Sequence, residues 1–278
     1  MNVDWEVVTK CNYTCKYCEI KDTIVKPVED ETVLRNFINM LSEKYSNTSI
    51  YIFGGEPFLH PKIKFILEYL YSLNQEFLVQ TNCSNYSMNQ MEKINIPINI
   101  AISIHPEMLS LKLLENQLKK INNFNSNINV NHIAVMYTGR SSLEYYLHVV
   151  KGLEKYNSPL SKKVYFHPIS KHRPVDNEAD RLDKLRDFIK LSENSAFTKV
   201  FKFEKADNGK LGCGAKLWEK MMSGEFIIKG KPCIYKNYIL YGPDLKSYTC
   251  GYRKNPTDNI CQYKVCPLAY GSIDTIYD

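Results

Sequence analysis

The chain has 278 residues, of which 44% are hydrophobic and 24% are charged, and its formal net charge at pH 7 is +6. This length is enough for one large α/β domain, or for one domain with a smaller appendage. The mild positive charge suits an anionic ligand but does not favour nucleic-acid binding, which requires basic residues clustered on one face. Neither a signal peptide nor a run of about 18 apolar residues is present, so we expect a cytoplasmic protein without a membrane span.

Apolar periodicity predicts strands and helices that alternate six times along the chain. The predicted strands lie at residues 3–9, 49–53, 76–81, 98–104, 128–136 and 163–168. The first predicted helix, residues 29–45, buries Val33, Leu34, Phe37, Ile38 and Leu41, and the second buries Ile63, Ile66, Leu67 and Leu70. The third is residues 87–94, with Ser87 as its cap. The last three are residues 109–121, 141–156 and 176–191. Short connections predict parallel strands joined by right-handed crossovers. Because a closed barrel takes eight such units, the sequence predicts an α/β fold, an open partial (β/α)6 barrel over residues 1–195.

The composition changes after about residue 198, where Gly, Cys, Tyr and Pro separate short segments. Residues 226–229 and 238–241 are predicted hairpin strands, with a turn that begins at Gly242. Residues 196–278 hold five of the nine cysteines and are too few and too irregular for an independent apolar core. The sequence therefore predicts a small, irregular, cysteine-rich C-terminal domain that is held together by a metal.

Nine cysteines favour metal ligation over disulfides, since the count is odd and disulfide frameworks are typical of short secreted chains. Cys11, Cys15 and Cys18 follow the first strand with the spacing C-x3-C-x2-C, and no fourth thiol is near them in the sequence. Structural zinc sites ordinarily have four protein ligands, as do the common iron–sulfur runs. Three thiolates can instead bind three irons of a four-iron cluster and leave the fourth iron open. A zinc site that borrows a distant ligand is the alternative.

Polar and reactive residues also follow other predicted strands at their carboxyl ends, which form the active face of an α/β barrel. They are Gly54, Gly55, Glu56 and Pro57 after the second strand, Asn82 and Cys83 after the third, Ser103 and His105 at the fourth and His167 at the sixth. Structural interpretations exist for several of them. Gly-Gly-Glu-Pro by itself fits a strand-to-helix turn, Cys83 fits a buried small hydrophobe, and both histidines fit the scaffold.

The cysteine motif, with Tyr17 before its last cysteine, and the Gly-Gly-Glu-Pro segment together resemble the radical S-adenosylmethionine (SAM) enzymes over roughly residues 3–195. The resemblance implies that Cys11, Cys15 and Cys18 bind three irons of a [4Fe–4S] cluster and that SAM chelates the open iron. It also implies SAM contacts from Tyr17 (adenine), from Gly54, Gly55, Glu56 and Pro57 (amino group), and from Asn82 and Ser103 (ribose or carboxylate). Two residues depart from the family pattern: Cys83 stands where glycine is frequent, and His105 where aspartate is frequent.

The implied reaction is reductive cleavage of SAM, with an electron from a reductant such as flavodoxin or ferredoxin. The products are methionine and a 5′-deoxyadenosyl radical, which abstracts hydrogen from a substrate C–H bond. The cofactors carry this chemistry, while the protein supplies orientation and a water-poor cavity. The motif does not identify catalytic side chains, and the candidates are Cys83, His105, His167 and Cys213.

The cysteine-rich tail resembles the SPASM/twitch extensions of the same superfamily, which bind auxiliary iron–sulfur clusters. The resemblance implies one auxiliary [4Fe–4S] cluster, held by Cys233, Cys250, Cys261 and Cys266. Cys213 is left over and is the alternative ligand at one of these positions. Structural zinc on four thiolates is the alternative to the cluster.

Three functions are compatible with these features. The first is modification of a peptide by crosslinking, epimerisation or oxidation, since an auxiliary cluster can accept an electron from a substrate radical. With only ten residues before Cys11, it would require a separate peptide-recognition protein or direct recognition of the modified segment. The second is a dehydrogenase or isomerase of a small molecule or nucleotide, for which the basic stretch Lys171, His172 and Arg173 offers an anion contact. The third is a zinc-stabilised binding module without catalysis.

Overall fold

A computed structural model describes residues 2–16, 18, 25–124, 126–137, 141–168 and 238–248. Its strands are β1 (Asn2–Val8), β2 (Ile50–Gly54), β3 (Phe77–Thr81), β4 (Ile98–Ile104), β5 (Ile128–Tyr137), β6 (Val164–Pro168), β7 (Tyr238–Tyr241) and β8 (Ser247–Tyr248). Its α-helices are α1 (Glu31–Lys44), α2 (Ile63–Ser72), α3 (Asn85–Met91), α4 (Leu111–Asn122) and α5 (Ser141–Lys155). None of these helices is long and apolar enough to cross a membrane.

The described strands form one sheet in the order β6-β5-β4-β3-β2-β1-β7-β8. The strands from β1 to β6 pair in parallel, each with its neighbour in the sequence, as helical crossovers require. Since β6 and β8 lie at opposite edges, this sheet is open. The predicted α/β partial barrel is confirmed, and the helix predicted at residues 176–191 lies outside the described residues.

Burial along the elements follows the predicted apolar patterns with one exception. Strand β4 is buried at every residue but Asn99, as expected for a parallel strand enclosed on both faces. Helix α1 buries four residues of one stripe: Leu34, Phe37, Ile38 and Leu41. The prediction that Val33 shares this stripe is wrong, since Val33 is 46% exposed. The four buried positions already complete the i, i+3, i+4, i+7 face of the helix, and Val33 falls outside it.

Helix α3 begins earlier than its pattern predicts. Its first residue is Asn85, and Ser84 is the N-cap, with an extended backbone and an Oγ atom that accepts a hydrogen bond from the Ser87 amide (3.3 Å). The prediction of Ser87 as the cap is therefore wrong. Ser84 follows strand β3 closely and has the extended backbone that a cap requires, whereas Ser87 lies in the first helical turn.

The hairpin in the tail extends the barrel sheet. Strands β7 and β8 are antiparallel, and the turn between them begins at Gly242, as predicted. Strand β7 also pairs in parallel with β1. The Tyr241 ring packs edge-on against Phe37 of α1, with ring centroids 5.1 Å apart, and its hydroxyl lies 3.2 Å from the Tyr45 hydroxyl. The strand predicted at residues 226–229 lies outside the described residues, and the division into two domains at residue 195 stays a prediction.

Candidate active site

The loop after β1 carries the three thiols of the cysteine motif. The Cys18 amide donates to the Cys15 carbonyl oxygen (3.1 Å), and the Tyr13 amide donates to the Cys11 sulfur (3.3 Å). Cys15 is buried, Cys11 and Cys18 are half-buried, and none of the three is in a disulfide. The loop therefore brings three thiols to the carboxyl end of β1.

The two glycines after β2 pack against the backbone of this loop. The Gly55 amide donates to the Val8 carbonyl oxygen (2.8 Å), and the Glu56 amide donates to that of Lys10 (2.9 Å). A Cβ atom on Gly54 would lie 2.1 Å from the Val8 oxygen, and one on Gly55 would lie 2.3 Å from the Lys10 oxygen. Gly54 also has a φ of +153°, which residues with a side chain rarely adopt. Side chains are thus excluded where β2 meets the cysteine loop.

The Glu56 carboxylate joins the ends of β2 and β3. Its side chain is fully buried and accepts hydrogen bonds from the Thr81 hydroxyl and the Asn82 amide (both 2.8 Å) and from the Phe58 amide (3.3 Å). Burial raises the pKa of Glu56 to about 7, and these hydrogen bonds act in the opposite direction because they favour the carboxylate. Pro57 then opens a short 3₁₀ turn. Glu56 therefore stabilises the turn through contacts inside the protein.

The Asn82 side chain holds the cysteine loop from the end of β3. Its Nδ2 donates to the Asn12 side-chain oxygen (2.8 Å) and lies 3.8 Å from the Cys11 sulfur. Its Oδ1 accepts from the Ser84 amide (3.0 Å), and the Ser84 hydroxyl accepts from the Asn12 side chain (2.8 Å). Both polar atoms of Asn82 thus have partners in the protein. The predicted contact of Asn82 with SAM stays a prediction.

The protonation of Cys11 depends on this environment. Burial raises the pKa of the Cys11 thiol above its ordinary value, whereas hydrogen bonds from the Tyr13 amide and the Asn82 side chain lower it. Metal ligation requires the thiolate and releases the proton. We therefore expect Cys11 to be a protonated thiol until a metal competes for its sulfur.

The segment that follows β4 contacts the cysteine loop at two points. His105 Nδ1 lies 3.5 Å from the Cys15 sulfur, and His105 Nε2 lies 2.9 Å from the Ser103 hydroxyl oxygen. Two residues further on, the Glu107 carboxylate accepts a hydrogen bond from the Lys16 amide (3.0 Å). Ser103 and His105 point to the same side because they are alternate residues of an extended segment. Their predicted roles toward SAM and substrate stay predictions.

Cys83 lies in the apolar core below the site. Its side chain is fully buried, and this burial raises the pKa of its thiol well above the ordinary value. Its φ of +52° is in the left-handed region, which accounts for the glycine that is frequent here in the resembling family. The position fits the interpretation of Cys83 as a small buried hydrophobe, and its candidacy as a catalytic residue stays a prediction.

Several predicted residues lie outside the described part of the chain: Tyr17, Cys213, Cys233, Cys250, Cys261 and Cys266, together with the stretch Lys171, His172 and Arg173. The roles proposed for them stay predictions, as does the auxiliary cluster. His167 lies on β6, in register with Met136 of β5. Its candidacy as a catalytic residue also stays a prediction.

Sequence reasoning missed several polar residues that shape the site. Gln117 donates to the carbonyl oxygens of Asn82 and Cys83 (2.9 and 2.6 Å). The sequence could have indicated Gln117, because this residue interrupts the buried apolar stripe of α4. A buried polar side chain requires a hydrogen-bond partner. Asn12 lies inside the cysteine motif itself, so its position at the site could also have been predicted from the sequence. Outside these contacts, His60 at the end of the short 3₁₀ turn is also buried, and burial lowers its pKa to about 4; no spacing in the sequence indicates this.

The donor set of the cysteine loop is typical of an iron–sulfur cluster or of zinc, since thiolates favour both. The three thiols share one loop, and N–H groups lie at the Cys11 sulfur, as is typical of supported metal ligands.

Part of the chain is similar to a known family and to a curated protein. Residues 5–128 match the model of the Radical SAM superfamily. The 7-carboxy-7-deazaguanine synthase of Aquifex aeolicus (strain VF5) is 31% identical over 107 residues, which cover 36% of this chain and 48% of that protein. The chain thus spans about half the length of this curated relative.

Solved structures share the fold at low sequence identity. Streptococcus suis SuiB bound to S-adenosylmethionine has a TM-score of 0.61 at 14% identity, covering 100% of this chain and 65% of that chain. SuiB bound to its precursor peptide SuiA has a TM-score of 0.60 at 14% identity, with 100% and 64% covered. Native anSMEcpe with bound AdoMet and Cp18Cys peptide has a TM-score of 0.56 at 14% identity, with 90% and 74% covered. These similarities show the fold alone.

The open parallel barrel, with its three-thiol loop beside a Gly-Gly-Glu-Pro turn, is thus similar to the Radical SAM superfamily over residues 5–128. This similarity implies a [4Fe–4S] cluster and SAM as cofactors.

We predict that Gly55→Ala lowers the free energy of unfolding by about 2 kcal/mol or more, because the new Cβ would overlap the Lys10 backbone oxygen. Chemical denaturation of the metal-free protein measures the change. Gly152→Ala is the matched control, since the added Cβ would meet only the end of the Leu118 side chain. A Gly55→Ala protein as stable as the wild type would contradict the prediction.

We predict that Glu56 makes the protein less stable as the pH rises. Its pKa is about 7 in the folded chain against an ordinary 4.5, so the folded state binds more protons between these values. Its stabilising contribution is complete below about pH 4.5 and is lost as the pH rises through about 7, a loss of about 3 kcal/mol.

Glu56→Gln should abolish this dependence. Urea denaturation between about pH 5 and pH 8 measures the slope of stability against pH, with Glu115→Gln on the exposed surface of α4 as the control. The idea would fail if the wild-type and Glu56→Gln slopes were equal.

Proposed function

We propose that this chain is a radical SAM enzyme whose cluster is held by Cys11, Cys15 and Cys18. The observation that carries the proposal is the placement of three thiols on one loop, which contacts from the ends of β2, β3 and β4 hold within the matched segment. The bound cluster and SAM, with an electron from flavodoxin or ferredoxin, would supply a 5′-deoxyadenosyl radical that abstracts hydrogen from a substrate C–H bond.

The protein's own residues position these groups. Gly54 and Gly55 allow the β2 end to contact the cysteine loop directly, and Glu56 holds that turn against β3. Asn82 lies at the Cys11 sulfur and His105 at the Cys15 sulfur. Residues that are locked in this way keep a metal site in its productive geometry.

We further propose that the substrate is a peptide, which is crosslinked, epimerised or oxidised. One support is the shared fold with SuiB and anSMEcpe, both of which have structures with a bound peptide. Another is the β7–β8 hairpin, which lies between Cys233 and Cys250 in the sequence and joins the sheet beside β1. This proposal includes the auxiliary [4Fe–4S] cluster in the tail and a separate peptide-recognition protein as a partner.

The alternative is a dehydrogenase or isomerase that acts on a small molecule or nucleotide. It is favoured by the curated relative, whose name, 7-carboxy-7-deazaguanine synthase, identifies a small-molecule product. A zinc-stabilised binding module without catalysis has less support, because residues 5–128 match the model of the Radical SAM superfamily.

We predict that replacing Cys11, Cys15 and Cys18 together by alanine removes about four irons per chain and abolishes the release of 5′-deoxyadenosine from SAM. Anaerobic reconstitution, iron and sulfide counting and chromatography of the SAM products measure both effects. Cys83→Ala is the matched control, since it removes a core thiol outside the loop and should leave the iron content unchanged.

The same iron count tests the auxiliary cluster. About eight irons in the wild-type protein would support a second cluster in the tail, and about four would argue against it. Zinc without iron in the reconstituted protein, or SAM cleavage by the triple variant, would refute the enzymatic proposal.

Deuterated candidate substrates separate the two substrate classes. If a deuterated peptide transfers deuterium to 5′-deoxyadenosine, the peptide proposal is supported and the labelled position identifies the abstracted hydrogen. Transfer from a deuterated small molecule, with none from peptides, would favour the alternative.

A further inference from the structure

The His105 ring lies between a cysteine of the motif and the end of β4. Its Nδ1 is 3.5 Å from the Cys15 sulfur, and its Nε2 is 2.9 Å from the Ser103 hydroxyl oxygen. The Tyr13 ring packs edge-on against it, with ring centroids 5.7 Å apart. The imidazole is thus oriented by a hydroxyl group at one nitrogen and a sulfur at the other.

These contacts select one neutral tautomer of His105 when Cys15 binds a metal. A metal-bound thiolate has no proton and is only an acceptor, so Nδ1 must carry the hydrogen that points to sulfur. Nε2 must then accept a hydrogen bond, and the Ser103 hydroxyl at 2.9 Å can donate it. A second acceptor for that hydroxyl, the Thr81 carbonyl oxygen, is more distant at 3.3 Å. In metal sites, the hydrogen bond made by one ring nitrogen of a histidine determines which of the two nitrogens carries the proton.

The contact of His105 with sulfur is distinct from the anchoring of the loop. Glu107 accepts a hydrogen bond from the Lys16 backbone amide and so holds the loop without touching a thiol. Cys15 is only 4% exposed, so little water is available to donate a hydrogen bond to its sulfur. A donor from the protein therefore has a large effect on the charge that this sulfur can carry.

We propose that His105 is a positioning residue that donates its Nδ1–H to the Cys15 sulfur and thereby raises the reduction potential of the cluster. The inference rests on the proposed cluster at Cys11, Cys15 and Cys18. Hydrogen bonds to the sulfurs are one of the determinants of iron–sulfur potentials, because they stabilise the more negative, reduced state. Aspartate, which is frequent here in the resembling family, is ionised at neutral pH and has no proton to donate.

The reduction potential of the reconstituted holoenzyme, measured by electron paramagnetic resonance during a redox titration, tests the proposal. His105→Leu should lower the potential, whereas His105→Asn, whose amide nitrogen lies near the position of Nδ1, should restore most of the wild-type value. Glu107→Ala is the matched control, because it loosens the loop and leaves the sulfur contact in place. Iron counting is done on every variant, so that potentials are compared at equal cluster content.

Hyperfine spectroscopy on wild-type protein with nitrogen-15 in its histidines gives a second readout that does not depend on the stability of a leucine variant. We expect a histidine nitrogen coupled to the reduced cluster, and we expect the coupling to disappear in His105→Asn. The triple alanine variant supplies the background signal of any auxiliary cluster.

Three results would overturn the inference: an unchanged potential in His105→Leu, an equal shift in Glu107→Ala, or a histidine coupling that is absent or that persists in His105→Asn. These failures differ from a failure of the proposed function, in which the wild-type protein would bind no iron at the motif at all.

Discussion

The direct contact between the β2 end and the cysteine loop is the constraint on which the rest of the site depends. Two backbone hydrogen bonds, from Gly55 and Glu56 to Val8 and Lys10, set the distance between these segments. No side chain fits between them, since a Cβ on either glycine would overlap a carbonyl oxygen. The loop therefore leaves β1 along a path that the neighbouring strand determines, and the positions of the thiols follow from that path.

The contacts then continue from strand to strand along the same edge of the sheet. Glu56 connects β2 to β3 by accepting hydrogen bonds from Thr81 and Asn82. Asn82 connects β3 to Cys11, and His105 connects β4 to Cys15. Each neighbouring strand thus holds a different part of the loop. Parallel strands make this arrangement possible, because their carboxyl ends lie at one edge and present polar residues to a common site.

Much of this fold was predictable from local periodicity, and the exceptions have physical causes. The strand and helix patterns are local, so β1 to β6 and α1 to α5 were found with small shifts at their ends. Ser84 and Ser87 both fit a helix cap, and only the backbone conformation after β3 distinguishes them. The pairing of β7 with β1 joins segments more than 200 residues apart, and no local pattern carries that information. Hydrogen bonds such as Asn82 with Asn12 depend on the same long-range packing.

The two departures from the family pattern differ in what they change. A left-handed φ at Cys83 costs about 1 kcal/mol for a residue with a side chain, but the buried thiol fills core space that glycine would leave empty, a gain of similar size. Asn82 still reaches Cys11, so this departure leaves the edge of the site unaltered. The departure at His105 has its effect at the site and not in the core, because the imidazole ring contacts the Cys15 sulfur. It alters the surroundings of a predicted cluster ligand, and the chemistry particular to this chain is therefore to be sought there.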